Sequence, residues 1–132
     1  MMPHIIDFNQ IGDSAIGFIS VAESQRKVPF EIKRVFWTYY TPQNVTRGRH
    51  AHYVTEQVLI AVAGTIKVSV EIPGAEKLEY LLDSPSKGLY LPPNAWHTME
   101  YSHNAVQLAL ASTNYDESDY IRDYSDFKTL KP

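Results

Sequence analysis

The clearest regularity in the chain is Ile66, Val68, Val70 and Ile72 alternating with Lys67, Ser69 and Glu71. A period of two predicts a strand with one buried face. Gly64 turns the chain before it, and Pro73-Gly74 fits the middle of a type II turn after it. Leu78 to Leu82 then returns as the partner strand of a hairpin. Gln57 to Ala63 is almost wholly apolar, which predicts a strand buried on both faces. Glu31 to Tyr40 is rich in aromatic and β-branched residues, with Ile32, Arg34, Phe36, Thr38 and Tyr40 on one parity and Lys33, Val35, Trp37 and Tyr39 on the other.

The remaining apolar runs are short. Ile5–Phe8 and Ala15–Val21 predict early strands around a Gly12-Asp13-Ser14 turn, and Val28-Pro29-Phe30 restarts an extended path. Gly88–Leu91, Ala95–Tyr101 and Val106–Leu110 predict three late strands, with a tight corner at Pro92-Pro93-Asn94. In the acidic, aromatic stretch from Asp116 to Phe127, Asp116 is placed to cap a short helix through Tyr120, Ile121 and Tyr124. Regularly spaced short strands with almost no helix predict an all-β sandwich or barrel. A length of 132 residues suits one domain, residues 1–132, and no internal repeat or linker divides it.

Composition narrows the picture by exclusion. With 44% hydrophobic and 20% charged residues the chain is expected to be soluble and globular. A net charge of -3 argues against a nucleic-acid or anionic-membrane partner. The chain has no Cys, so disulfides and thiolate metal sites are excluded. No apolar run approaches a membrane span, and Met1-Met2-Pro3-His4 lacks a signal-peptide layout. The expected location is the cytoplasm.

The chemistry concentrates at His50-Ala51-His52. Two histidines at i and i+2 on a strand share a face. Glu56 has the same parity if the strand continues, although Val54-Thr55 could equally be a turn. Three such groups facing one interior are either metal ligands or an acid/base set. The spacing from Gly48 through His50, His52 and Glu56 to Gly64 resembles the first motif of the cupin superfamily. Gly88 through Pro92-Pro93-Asn94 to His97 resembles the second, with Asn94 where the pattern has Gly. Asn tolerates positive φ, so the turn is expected to survive. His50, His52, Glu56 and His97 together match the ligand set of metal-binding cupins.

A narrower likeness runs from about Ile5 to Phe127. Ile32-Lys33-Arg34-Val35, Arg47-Gly48, Glu56-Gln57-Val58-Leu59, Asp83-Ser84-Pro85, Trp96-His97 and above all Tyr115-Asp116-Glu117-Ser118-Asp119-Tyr120-Ile121-Arg122 resemble the TDP-4-keto-6-deoxyglucose 3,4-ketoisomerases, small cupin enzymes of deoxysugar pathways. The resemblance implies a jelly-roll barrel and a homodimer with exchanged N-terminal strands. It implies catalysis with no metal and no cofactor, on a TDP-linked keto sugar, toward 3-amino-3,6-dideoxyhexoses. It also implies that His50 and His52 lie beside the hexose. The chain departs from the family by carrying Phe36-Trp37 where a tyrosine pair is expected, and Arg49 where an aromatic is expected.

In that reading His52 takes the C3 proton and His50 serves C4, or the reverse. Arg34, Arg47 and Arg122 are candidates for the diphosphate or a developing oxyanion, since guanidinium binds phosphate in a fork. Trp37 and Tyr39 are candidates to stack on thymine. His97 lines the pocket, and Glu56 orients a histidine. The alternatives are a metal-dependent cupin of dioxygenase type and a nucleotide-sugar epimerase or binding cupin.

Overall fold

A computed structural model describes residues 1–132. Its strands are β1 (His4–Asp7), β2 (Ile11–Asp13), β3 (Gly17–Ile19), β4 (Arg34–Tyr39), β5 (Thr46–His52), β6 (Gln57–Ala63), β7 (Ile66–Glu71), β8 (Leu78–Leu82), β9 (Lys87–Leu91), β10 (Trp96–Tyr101), β11 (Val106–Ala111) and β12 (Tyr120–Ile121). One helix, α1 (Tyr124–Lys128), follows them. Two five-stranded sheets form, in the orders β1-β9-β6-β11-β4 and β12-β5-β10-β7-β8, and β2-β3 make a separate hairpin. All the strand pairings are antiparallel, as a jelly roll requires.

The hydrophobic pattern accounts for this layering. Ile66, Val68 and Val70 meet Leu59, Ala61, Leu89 and Met99 between the sheets, in a cluster of 13 buried residues. Each fully buried Val, Leu or Ile of this kind contributes about 1.5–3 kcal/mol. The alternate residues of β6, Val58 and Ile60, face outward under Val28 and Phe30. Strand β6 is therefore buried on both faces, as its unbroken apolar run predicts. On the outer face of the second sheet, α1 lays Phe127 against Ala51, Trp96 and Ile121.

Local predictions hold at the corners and fail where tertiary pairing intervenes. Asn94 takes φ 62°, so it does replace the glycine of the second motif. The predicted early turn moves: β2 runs through Gly12 and Asp13, and the Asp13 carboxylate accepts from the amides of Ala15 and Ile16 instead. The helix expected from Asp116 through Tyr124 does not form. Asp116 caps only a 3-10 turn, Glu117–Asp119, through the Ser118 amide. Tyr120 and Ile121 are then drawn into the sheet opposite His52 and Ala51. The true helix starts one turn later, capped by Asp123, whose side chain accepts from the Ser125 amide.

Candidate active site

The site is built on a bulge in β5. His97 pairs with His50, but Thr98 pairs with Gly48, so Arg49 stands unpaired. Gly48 has φ 90°, and a Cβ there would come within 2.8 Å of the His97 carbonyl oxygen. Arg49 has φ 57°, a sparsely populated conformation for a non-glycine residue. The bulge changes the face presented by β5. Arg47 lies opposite Met99, and His50 opposite His97, both of which point between the sheets. An odd-numbered arginine, itself exposed, and two even-numbered histidines thus project from one face of β5, which plain alternation forbids.

Three imidazoles meet there. The His50 ring is 5.1 Å from His52 and 4.6 Å from His97, edge to face in both cases. His52 and His97 are buried and 6.4 Å apart. Tyr120 packs against both members of the pair, 5.2 Å from His50 and 4.3 Å from His52.

Hydrogen bonds fix where the protons sit. His97 Nδ1 donates to the Ala95 carbonyl at 3.0 Å, which leaves its Nε2 as an acceptor. His52 Nδ1 contacts Asp119 Oδ2 at 3.2 Å. Burial, helped by neighbouring His50 and Arg34, lowers the pKa of His52 to about 4, although Asp119 works the other way. Burial also lowers His97 to about 3. The lowering of His52 favours a neutral imidazole beside the Asp119 carboxylate. His50 is also lowered, first by burial, while the Gly48 backbone works to raise it. The Nε2 of His52 is buried with no partner. With the ring neutral and Nδ1 protonated, Nε2 carries a lone pair, which is what a general base needs.

Asp119 is itself held firmly. Its Oδ1 accepts from the Val54 amide at 2.8 Å, and its Oδ2 accepts from the Thr55 hydroxyl. Burial would raise its pKa, but these bonds and His52 outweigh that and keep it below the usual carboxylate range.

The predicted cations divide. Arg34 faces the interior beside Phe36, its guanidinium 5.4 Å from that ring and 5.7 Å from Tyr115. Its Nε is buried without a partner, so it is available to a ligand. Arg47 lies beside the Tyr101 hydroxyl and opposes the upward push of burial on that group. Arg122 is committed: it gives a fork of 2.7 and 2.9 Å to Glu117 while lying 4.2 Å over the Tyr120 ring.

Three predicted residues lie elsewhere. Val54-Thr55 is not strand, so the parity linking Glu56 to the histidines breaks. Glu56 instead accepts from the Tyr90 hydroxyl at 2.6 Å, on the outer face of the first sheet where Tyr90 packs with Val58. It neither orients a histidine nor joins a ligand set with them. Trp37 and Tyr39 point away from the interior, 61% and 54% exposed, because Phe36 takes the inward parity of β4. The residues missed are Asp119, Tyr120 and Thr55. Asp119 and Tyr120 sit in the most distinctive run of the sequence, but only the pairing of β12 with β5 shows what they touch.

Known proteins share this architecture. A family model described as FdtA, WxcM-like, C-terminal, matches residues 1–132. The TDP-4-oxo-6-deoxy-α-D-glucose-3,4-oxoisomerase of Aneurinibacillus thermoaerophilus is 42% identical over 125 residues, covering 94% of this chain and 88% of that one. The sugar 3,4-ketoisomerase of Thermoanaerobacterium thermosaccharolyticum, crystallised with TDP, superposes with a TM-score of 0.90 at 38% identity, over 96% of this chain and 91% of its own. A variant of that enzyme with a histidine replaced by asparagine, in complex with TDP-4-keto-6-deoxyglucose, has a TM-score of 0.90 at 37% identity over the same shares. A family match over the whole length, on top of a shared barrel and a curated relative at 42% identity, leaves one conclusion: the chain belongs to the FdtA family, the WxcM-like C-terminal group.

Proposed function

We propose that the protein is a sugar-nucleotide 3,4-ketoisomerase that moves the carbonyl of a TDP-4-keto-6-deoxyhexose from C4 to C3. The observation that carries this is the neutral, buried His52, its Nδ1 proton held by Asp119 and its Nε2 free, within a cluster of three imidazoles. The names of the relatives support the substrate class.

The chemistry follows from the residues. The C3 hydrogen is acidified by the C4 carbonyl. His52 Nε2 removes it, and the electron pair becomes the C3–C4 double bond of an enediolate. The C4 oxygen gains a proton, the C3 hydroxyl loses one, and C4 is protonated. The result is a carbonyl at C3 and a hydroxyl at C4, with no net redox change. His50, half-buried and edge-on to His52, serves C4 as acid or relay. Arg34, with its unsatisfied Nε, faces the developing oxyanion. Arg47, a free-standing cation beside Tyr101 on the same wall, takes the diphosphate in this scheme, and His97 shapes the pocket wall.

No metal or other cofactor takes part in this scheme. We further propose that residues 1–132 act as one cupin domain, that the working form is a homodimer, and that the enzyme is cytoplasmic. No helix is long and apolar enough to cross a membrane.

The deciding experiment is incubation with TDP-4-keto-6-deoxyglucose, followed by NMR of the ring protons. A 3-keto product is expected; epimerisation with the carbonyl still at C4 overturns the reading. His52→Asn and His50→Asn should each lower turnover by about 10²–10⁴, the usual contribution of a positioned base, with TDP binding retained. Full activity in both single variants excludes the pair.

A further inference from the structure

We infer that Asp119 is the positioning residue that sets the tautomer of His52, and that a hydroxyl chain from Thr113 through Thr55 keeps its carboxylate in place. The inference rests on the ketoisomerase reading for its catalytic consequence, but the tautomer stands apart from it.

The argument is a count of donors. Asp119 Oδ1 accepts from the Val54 amide, and Oδ2 accepts from both the Thr55 hydroxyl and His52 Nδ1. The Thr55 hydroxyl proton is thereby committed to Asp119. The 2.6 Å contact between the Thr55 and Thr113 oxygens must then be donated by Thr113. The Val54 amide can only donate, and an ionised Oδ2 accommodates a hydroxyl donor and a protonated Nδ1 together. Asp119 is 7% exposed, and the Tyr53 amide donates to its own backbone carbonyl, so the carboxylate has little freedom to leave. On the far side of the ring, His52 Nε2 is buried and unpartnered. With the proton fixed on Nδ1, that nitrogen must present a lone pair.

An asparagine at 119 cannot reproduce this. Its NH2 group must face one of three donors. Opposite Val54 it opposes a fixed amide N–H. Opposite His52 it becomes the donor, which moves the imidazole proton to Nε2 and removes the lone pair from the interior. Asp119→Asn should therefore lower kcat by about 10²-fold or more while leaving the KM within a few-fold. Asp119 also favours the imidazolium, so its loss should move the acid limb of kcat/KM further toward low pH.

The direct readout is the ¹⁵N spectrum of the His52 imidazole. Wild type should show the proton on Nδ1, and Asp119→Asn should show it on Nε2. Thr55→Val keeps the carboxylate but removes one of its anchors, and should lower kcat several-fold with His52 still protonated on Nδ1. A wild-type His52 protonated on Nε2 overturns the inference, whether or not Asp119→Asn folds. So does a folded Asp119→Asn with unchanged tautomer and kcat. If wild type fails to turn over the keto sugar yet shows the Nδ1 tautomer, the function is wrong and the positioning stands.

Discussion

At the scale of single residues, the proposed role of His52 depends on burial. A free imidazole is partly protonated near neutrality and is then useless as a base. Removing His52 from water lowers its pKa to about 4. The groups around it are His50 and His97 from the barrel wall, Arg34 from β4, and Asp119 and Tyr120 from the tail. Of these only Asp119 favours the proton, and it is outweighed. The sign follows directly. A base must be unprotonated, so activity is lost as pH falls through its pKa. The acid limb of kcat/KM should lie near pH 4, well below the 6.5 of free imidazole. Initial rates measured from neutrality down to about pH 4 check this, and a limb near 6.5 would assign the base to an exposed group. The histidines were legible in the sequence because strand parity is a local rule. Glu56 shares their parity only if the strand continues through Val54-Thr55, and the strand ends at His52.

At the scale of elements, the tail is a clamp. Residues 113–130 bring Asp119 and Tyr120 to the histidines and Thr113 to Thr55. Strand β12 has two residues. Its anchorage comes from Ile121 and from Phe127 of α1, both buried against Ala51 and Trp96. Ala51 lies between the two histidines on the opposite face of β5, so the helix also braces the histidine-bearing strand from behind. Phe127→Ala should lose about 3–5 kcal/mol of stability, the usual cost of emptying such a site. It should also lower kcat at temperatures where the barrel stays folded, because Asp119 loosens before the sheets do. Urea unfolding gives the first quantity and steady-state kinetics in zero denaturant the second. Unchanged kcat in a clearly destabilised variant would show that the clamp is not coupled to the site. The sequence marked this run as its most distinctive part but predicted one continuous helix. Helical spacing of Tyr120, Ile121 and Tyr124 is a local signal, and the open edge of β5 overrides it by offering two residues a strand partner. The β5 bulge was invisible for the same reason, since it depends on which residue of β10 stands opposite Gly48.

At the scale of the whole molecule, two apolar surfaces are left uncovered. Strand β4 ends its sheet, so its outer edge is open, and its outward residues Val35, Trp37 and Tyr39 are all exposed. The β2-β3 hairpin exposes Ile16, Phe18 and Ile19, and it belongs to neither main sheet. A two-stranded hairpin is marginal by itself, and an open apolar edge invites pairing. On β4 the exposed Val35, Trp37 and Tyr39 lie on one face, and apolar surface of this kind usually marks an interface. In the sequence a dimer is only what family resemblance implies, and Trp37 and Tyr39 read either as thymine platforms or as barrel or dimer contacts. Facing away from the histidines, they fit a subunit contact. Light scattering at micromolar concentration should give twice the mass of one chain. Trp37→Glu places a charge on that face and should shift the population toward monomer. The β4 side chains that face inward, Arg34 and Phe36, are untouched by the change. Any loss of activity in Trp37→Glu should therefore follow the loss of dimer and recover as protein concentration rises. A wild-type monomer, or a Trp37→Glu variant with an unchanged dimer, would remove this face from the interface.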